Sequence, residues 1–227
     1  MELGVLYLAL GLGAAALGRH AYRRRRGEIS VGVRSVERVT IADAERGRFV
    51  GEVRALDDTV RASLSGRECV YYSVVVEEEV PAGRSSVWTK VASDCEHVPF
   101  LLDDGTGAAI VHLCGAVVAL ERDRVGQTGL TGAIMHALDS TSPTHAAQLA
   151  VMAKCGVTKV ATRALRFREA IIAVGGTIVV VGAGVRQPID RAGGDAYREP
   201  AATRLTLAAT SGAKLYVSDY AAAIARR

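Results

Sequence analysis

Sixteen consecutive uncharged residues, LGVLYLALGLGAAALG from Leu3 to Gly18, are followed at once by Arg19 and then by Arg23, Arg24, Arg25 and Arg26. No other segment restricts the chain as strongly, because a helix without a polar face must be buried in protein or lie in lipid. At 1.5 Å per residue the run gives about 24 Å of helix, a little short of a hydrocarbon core of about 30 Å. Snorkelling by Arg19, with Tyr22 at the interface, makes up the difference. A cleaved leader carries its basic region before the apolar run; here the charges follow it. The pattern predicts a membrane anchor over residues 1–22 and a basic juxtamembrane linker over 23–34, against the alternative of a short buried helix with a solvated basic face. By the positive-inside rule the N-terminus lies outside the cell membrane and the rest of this single-pass chain is cytoplasmic. Arg19, Arg23, Arg24, Arg25 and Arg26 are then expected at the membrane surface, against the head groups of the lipid bilayer.

Those arginines also account for the charge. Against Glu2 they leave +4 in residues 1–26, the whole formal charge of the chain, so residues 27–227 are neutral. A domain that neutralises nucleic-acid phosphates shows a basic stripe of its own, which argues against nucleic acid as a partner. The absence of Asn and the excess of Arg over Lys read as the codon bias of a GC-rich bacterial genome. Cys69, Cys95, Cys114 and Cys155 include no C-x-x-C pair, so no zinc ribbon, RING or redox pair fits, and reduced thiols are expected.

Beyond Gly27 the pattern becomes strand-like. RFVGEVRAL (48–56) alternates around Gly51, and ECVYYSVVVEEEV (68–80) is rich in β-branched and aromatic residues. SVWTKVAS (86–93) returns from a PAGRSS turn, HVPFLL (97–102) carries Pro99 at an edge or bend, and AAIVHLCGAVV (108–118) follows. Residues 126–142 look looser. THAAQLAVMA (144–153) reads as a helix with Thr144 able to cap it. LRFREAII (165–172), TIVVVGAGV (177–185), a polar loop at 188–200 and a last strand pair, TRLTLAA (203–209) with KLYVSD (214–219), complete the domain. Residues 221–227 form a tail of up to two helical turns. The expected fold is mainly β with one or two helices (α+β), an OB-like small barrel over residues 35–220. Its strands are 48–56, the two joined by DDGTG, 177–185 and 203–209, with the 68–93 hairpin as an insertion.

Few residues point to chemistry. Adjacent carboxylates at a tight turn face apart, and DDGTG lacks the later ligands of a calcium loop. Asp103, Asp104, Gly105 and Gly107 are therefore read as a structural hairpin turn. Gly182 and Gly184 begin a dinucleotide fingerprint, but Gln187 holds its third position and Pro188 obstructs the helix it needs. Cys95 with His97, and His112 with Cys114, each share a strand face and could oppose each other across Gly105 to hold zinc. The register inferred about Gly105 sets His97 opposite Leu113, however, which separates the pairs. No catalytic residue, metal or cofactor is assigned. Phe49, Tyr71, Tyr72, Trp88 and Phe100 could stack bases or pack a core. Glu77 to Glu79 are read as a solvated guard at a sheet edge.

LSGRECVYYSVVVEEE (64–79), Trp88, PFLLDDGTGAAIV (99–111), Gly115-Ala116, RFREAIIAVGGTIVVVGAGV (166–185) and KLYVSD (214–219) together resemble the GIDE domain family, in that family's order. GIDE domains are the membrane-flanked domains of the RING-type E3 ubiquitin ligases of mitochondria and plastids, with bacterial relatives. The resemblance implies a membrane-associated domain. The RING ligands of the ligases are missing from this sequence, so ubiquitin transfer by this chain is not expected. A second membrane span found in the eukaryotic members is not seen here either. The expected function is a membrane-anchored, non-catalytic binding module for a protein, peptide or lipid ligand. The alternatives are a tethered OB-like nucleic-acid binder and an accessory subunit of a ubiquitin-ligase-like system.

Overall fold

The computed structural model describes residues 35–83, 85–128, 143–156, 164–188 and 203–225. The expected anchor, the linker arginines, and most of the stretches at 126–142 and 188–200 lie outside the described residues. In chain order the elements are β1 (Arg46–Ala55), β2 (Val60–Arg61), β3 (Glu68–Cys69), β4 (Tyr71–Ala82), β5 (Ser85–His97), β6 (Phe100–Asp103), β7 (Ala108–His112), β8 (Val117–Ala119), β9 (Asp123–Thr128), α1 (Pro143–Lys154), β10 (Leu165–Ile172), β11 (Thr177–Pro188), β12 (Thr203–Ala208), β13 (Tyr216–Ser218) and α2 (Ala221–Ile224). Among the described residues no helix is long and apolar enough to cross a membrane.

Five strands close a barrel in the order β1-β6-β7-β12-β11, with β11 returning to β1. Every pairing in the ring is antiparallel except β7 with β12. Closure depends on the length of β11. Its first half, to Ala183, pairs with β1, and from Gly184 onward it pairs with β12. At this change of partner a side chain on Gly184 would meet the Thr206 carbonyl oxygen at 2.4 Å, so the close approach requires glycine. The GAGV segment is thus mid-strand. The period-2 alternation of β1, β6, β7 and β12 sends Phe49, Val53, Phe100, Leu102, Val111 and Leu207 into one buried core. Burial of each such side chain contributes about 1.5–3 kcal/mol. A mainly β fold around a closed five-stranded barrel is the result, which is consistent with the OB-like expectation.

A second sheet, ordered β5-β4-β10-β9, is assembled from two insertions in the barrel. The β4–β5 hairpin enters between β1 and β6, as expected. β9 and β10 enter between β7 and β11 and join it. α1 covers this sheet, placing Val151 among Tyr72, Val74, Val76, Leu165 and Phe167. Because α1 starts at Pro143, a favoured first helical residue, Thr144 lies inside the first turn and not at the cap.

Two further sequence expectations change. Strands β12 and β13 do not pair with each other; each lies along a different part of β11. β4 is an inner strand, so Glu77 to Glu79 guard no sheet edge. Among the described residues of the tail, Ala221–Ile224 form one helical turn, and Tyr220 and Ala223 are buried with Val50, Val179 and Val181 on the outer face of β1 and β11. Val36, in the strap that leads into β1, packs on the same cluster.

Candidate functional site

The DDGTG turn joins β6 to β7 with Gly105 at φ 85°, a left-handed conformation that favours glycine. Its carboxylates take different partners. Asp103 accepts from the Gly105 amide at 2.8 Å and pairs with Arg54 at 2.9 Å. Asp104 Oδ1 accepts from the Thr106 amide at 2.9 Å, the Thr106 hydroxyl at 2.7 Å and the Gly107 amide at 3.2 Å. Asp104 Oδ2 reaches out of the turn to accept from the Ile41 amide at 2.7 Å. Burial works to raise the Asp104 pKa, but the Thr106 hydroxyl and the amides of Ile41, Thr106 and Gly107 outweigh it and hold the carboxyl below the usual range.

That reach gives the turn a second duty. Ile41 is buried in the barrel core, and the loop carrying it is held from two sides. The Thr106 hydroxyl accepts from the Ala42 amide at 3.3 Å, while Arg186 Nη2 on β11 donates to the Ile41 and Ala42 carbonyls, both at 2.7 Å. The strap from the N-terminal linker is thus stitched across the barrel by residues far away in sequence.

The expected Cys/His groups are dispersed. Cys95 and His97 are on β5 in the second sheet, with His97 stacked on Tyr71 at 6.5 Å between ring centroids. His112 ends β7 of the barrel and Cys114 follows it. The hairpin register pairs Phe100 with Val111 and Asp103 with Ala108, one residue away from that inferred by sequence. Among the described residues no three His, Cys, Asp or Glu side chains gather into a metal-holding group. All four cysteines are free, and Cys95 and Cys114 are exposed. Of the aromatics that could have stacked bases, Phe49, Phe100 and Tyr72 are buried.

Polar side chains converge instead where the end of α1 meets β4 and β5. The Tyr72 hydroxyl lies 3.1 Å from Asp94 Oδ2 and 3.0 Å from Glu96 Oε2. Lys154 Nζ donates to Asp94 Oδ2 at 2.9 Å and to the Tyr72 hydroxyl at 3.3 Å, and the Ser63 hydroxyl lies 3.4 Å from the same carboxylate oxygen. Burial raises the Tyr72 pKa, and although Ser63 and Lys154 oppose this, Glu96 and Asp94 add to it. Asp94, followed by Tyr72, raises the pKa of Lys154. The phenol therefore stays protonated and the amine charged at neutral pH. With a cation already seated between the carboxylates, this geometry fastens the helix to the hairpin. Lys154→Ala should cost about 0.5–1 kcal/mol, since its side chain is 52% exposed. It should also speed amide exchange in the last turn of α1. A folded pKa above the ordinary value of about 10.4 makes this contribution fully present below that value and lost as pH rises through the higher one.

Two further groups escaped the sequence reading. Glu77 pairs with Arg166 at 2.6 Å, and the Arg166 guanidinium sits 4.5 Å from the centre of the Trp88 ring. An ion pair and a cation–π contact thus replace the expected solvated run. Glu169 on β10 is wholly buried. Its Oε1 accepts from the amides of Leu64 at 2.9 Å and Ser65 at 3.4 Å, while Oε2 has no partner among the described residues. Burial, and then the neighbouring Glu169, push the Cys69 thiol pKa up, so this cysteine stays protonated and inert. The isolated acid inside the apolar LRFREAII strand was the visible signal for this contact.

No family model, curated protein or solved structure matches the chain.

Proposed function

We propose that the protein is a single-pass membrane protein whose OB-like, GIDE-like domain serves as a non-catalytic binding module on the cytoplasmic side of the cell membrane. The observation that carries this reading is the filled barrel interior, taken together with the uncharged run at the start of the sequence. Ile41, Phe49, Phe100 and Leu102 fill the barrel interior, so a ligand meets its outer surfaces. The closed order β1-β6-β7-β12-β11 supports the OB-like assignment. The signature segments 64–79 and 166–185 that suggest a GIDE domain lie together, joined by the β4–β10 pairing and by Glu169. The neutral charge of residues 27–227 favours a protein, peptide or lipid over nucleic acid.

The test is extraction and labelling of the full chain in cells. The protein should stay with membranes through alkaline carbonate and leave them in detergent. Exposed Cys95 and Cys114 should react with a membrane-impermeant maleimide only after the membrane is opened. Recovery in the soluble fraction would remove the anchor, and labelling of intact cells would reverse the sidedness.

A further inference from the structure

The strap at 36–38 runs beside β1 as a parallel bridge, with the Val39 amide donating to the Arg48 carbonyl and the Arg48 amide donating to the Glu37 carbonyl, both at 3.1 Å. α2 lies on the same cluster, so Val36, Tyr220, Ala223 and Ile224 share one apolar patch. The first described residue and the last therefore approach the same face. Only residues 27–34 separate Arg26 from Ser35, a path of at most about 30 Å even if fully extended. A bilayer holding the leader thus lies within reach of this face.

The face also presents cations. Arg38 and Arg46 are exposed, as are the acids Glu37 and Glu45, but Glu45 is paired with Arg186 at 3.8 Å. Arg48 follows Arg46 at period 2 on the same side of β1 and is 4% exposed. Its Nη1 donates to the Ala223 carbonyl at 3.3 Å, and its Nε has no partner among the described residues. A guanidinium buried so far from water, with one donor unused, favours negative charge nearby. The exposed part of α2, Ala221, Ala222 and Ala225, adds no charge that would repel an anion.

We infer that the face formed by the 36–38 strap, the start of β1 and α2 lies on the bilayer and takes the anionic head groups of phospholipids, with Arg38 and Arg46 outermost and Arg48 adding its charge from beneath. This rests on the proposed anchor but fixes the orientation of the domain, which an anchor alone leaves free.

Hydrogen exchange on the full chain in lipid nanodiscs tests it. Amides of residues 36–48 and 216–225 should exchange more slowly in discs of phosphatidylcholine with phosphatidylglycerol than in phosphatidylcholine alone, with each cation at the surface contributing about fivefold in affinity. Arg38→Glu with Arg46→Glu should abolish the difference, and Lys90→Glu on the second sheet should leave it. A chain that enters the discs yet exchanges equally in both lipids overturns the orientation while sparing the anchor. The same protection from inorganic phosphate in neutral discs also overturns it, by assigning the site to a free anion. A chain that does not enter either disc removes the anchor itself.

Discussion

Glu169→Ala is expected to destabilise the protein by about 3 kcal/mol, a fall in Tm of roughly 6–12 °C for a chain of this size. The carboxylate accepts from two amides, Leu64 and Ser65, across 105 and 104 positions of sequence. Alanine strands the buried Leu64 amide without an acceptor, frees the part-buried Ser65 amide and adds a small cavity to the loss. Glu169→Gln keeps one acceptor for the loop and places an amide where Oε2 is unpartnered. It should therefore lose less than alanine but more than a surface change. Urea titration followed by Trp88 fluorescence reads both, and a Glu169→Ala variant within 0.5 kcal/mol of the parent would show that the Leu64–Ser65 loop does not need its carboxylate.

Asp104→Ala should rank second, at about 2–3 kcal/mol, because it removes charge-assisted hydrogen bonds both within the turn and to Ile41. Asp103→Ala should cost less than about 1 kcal/mol, since its pair with Arg54 is partly exposed. The two neighbours thus separate turn formation from strap retention. Acid should act through the same residue. The folded pKa of Asp104 is depressed, so its stabilisation is present above the ordinary value of about 3.9 and is lost as pH falls through the lower folded value. Protection of the Ile41 and Ala42 amides, relative to their intrinsic exchange rates, should fall in the parent only as acid titrates this lowered carboxyl, and should already be low at neutral pH in Asp104→Ala. Equal exchange in parent and variant would detach the strap from this carboxylate.

These two residues also mark where sequence patterns stop being informative. The strands of the barrel were legible because alternation and glycine turns are local: Phe49, Phe100 and Leu207 advertise their faces within a few residues. The Asp104 turn was legible for the same reason, but its bond to Ile41 was not, since the acceptor is a side chain and the donor a backbone group 63 positions away. Backbone amides carry no residue identity, so no motif records which carboxylate they meet. Lys154 between Asp94 and Tyr72 was hidden in a similar way, because contact between α1 and β5 depends on a sheet assembled from separated segments. Glu77 illustrates a wrong inference with a physical cause. An acidic run reads as solvated until the opposing strand supplies Arg166, whose place opposite Glu77 is fixed by pairing of β4 with β10.

Assembly of the second sheet from two insertions governs how this chain is made. β4 leaves the ribosome with its neighbour β5 close behind, while β10, on its other side, follows some 90 residues later. Until then one long edge of a Val-rich strand stands open to any other nascent chain. The barrel waits too, since β1 needs β11 for closure. Synthesis should therefore be the most aggregation-prone period in the life of this protein, and slowing translation before β10 should lower its yield more than a pause after β12.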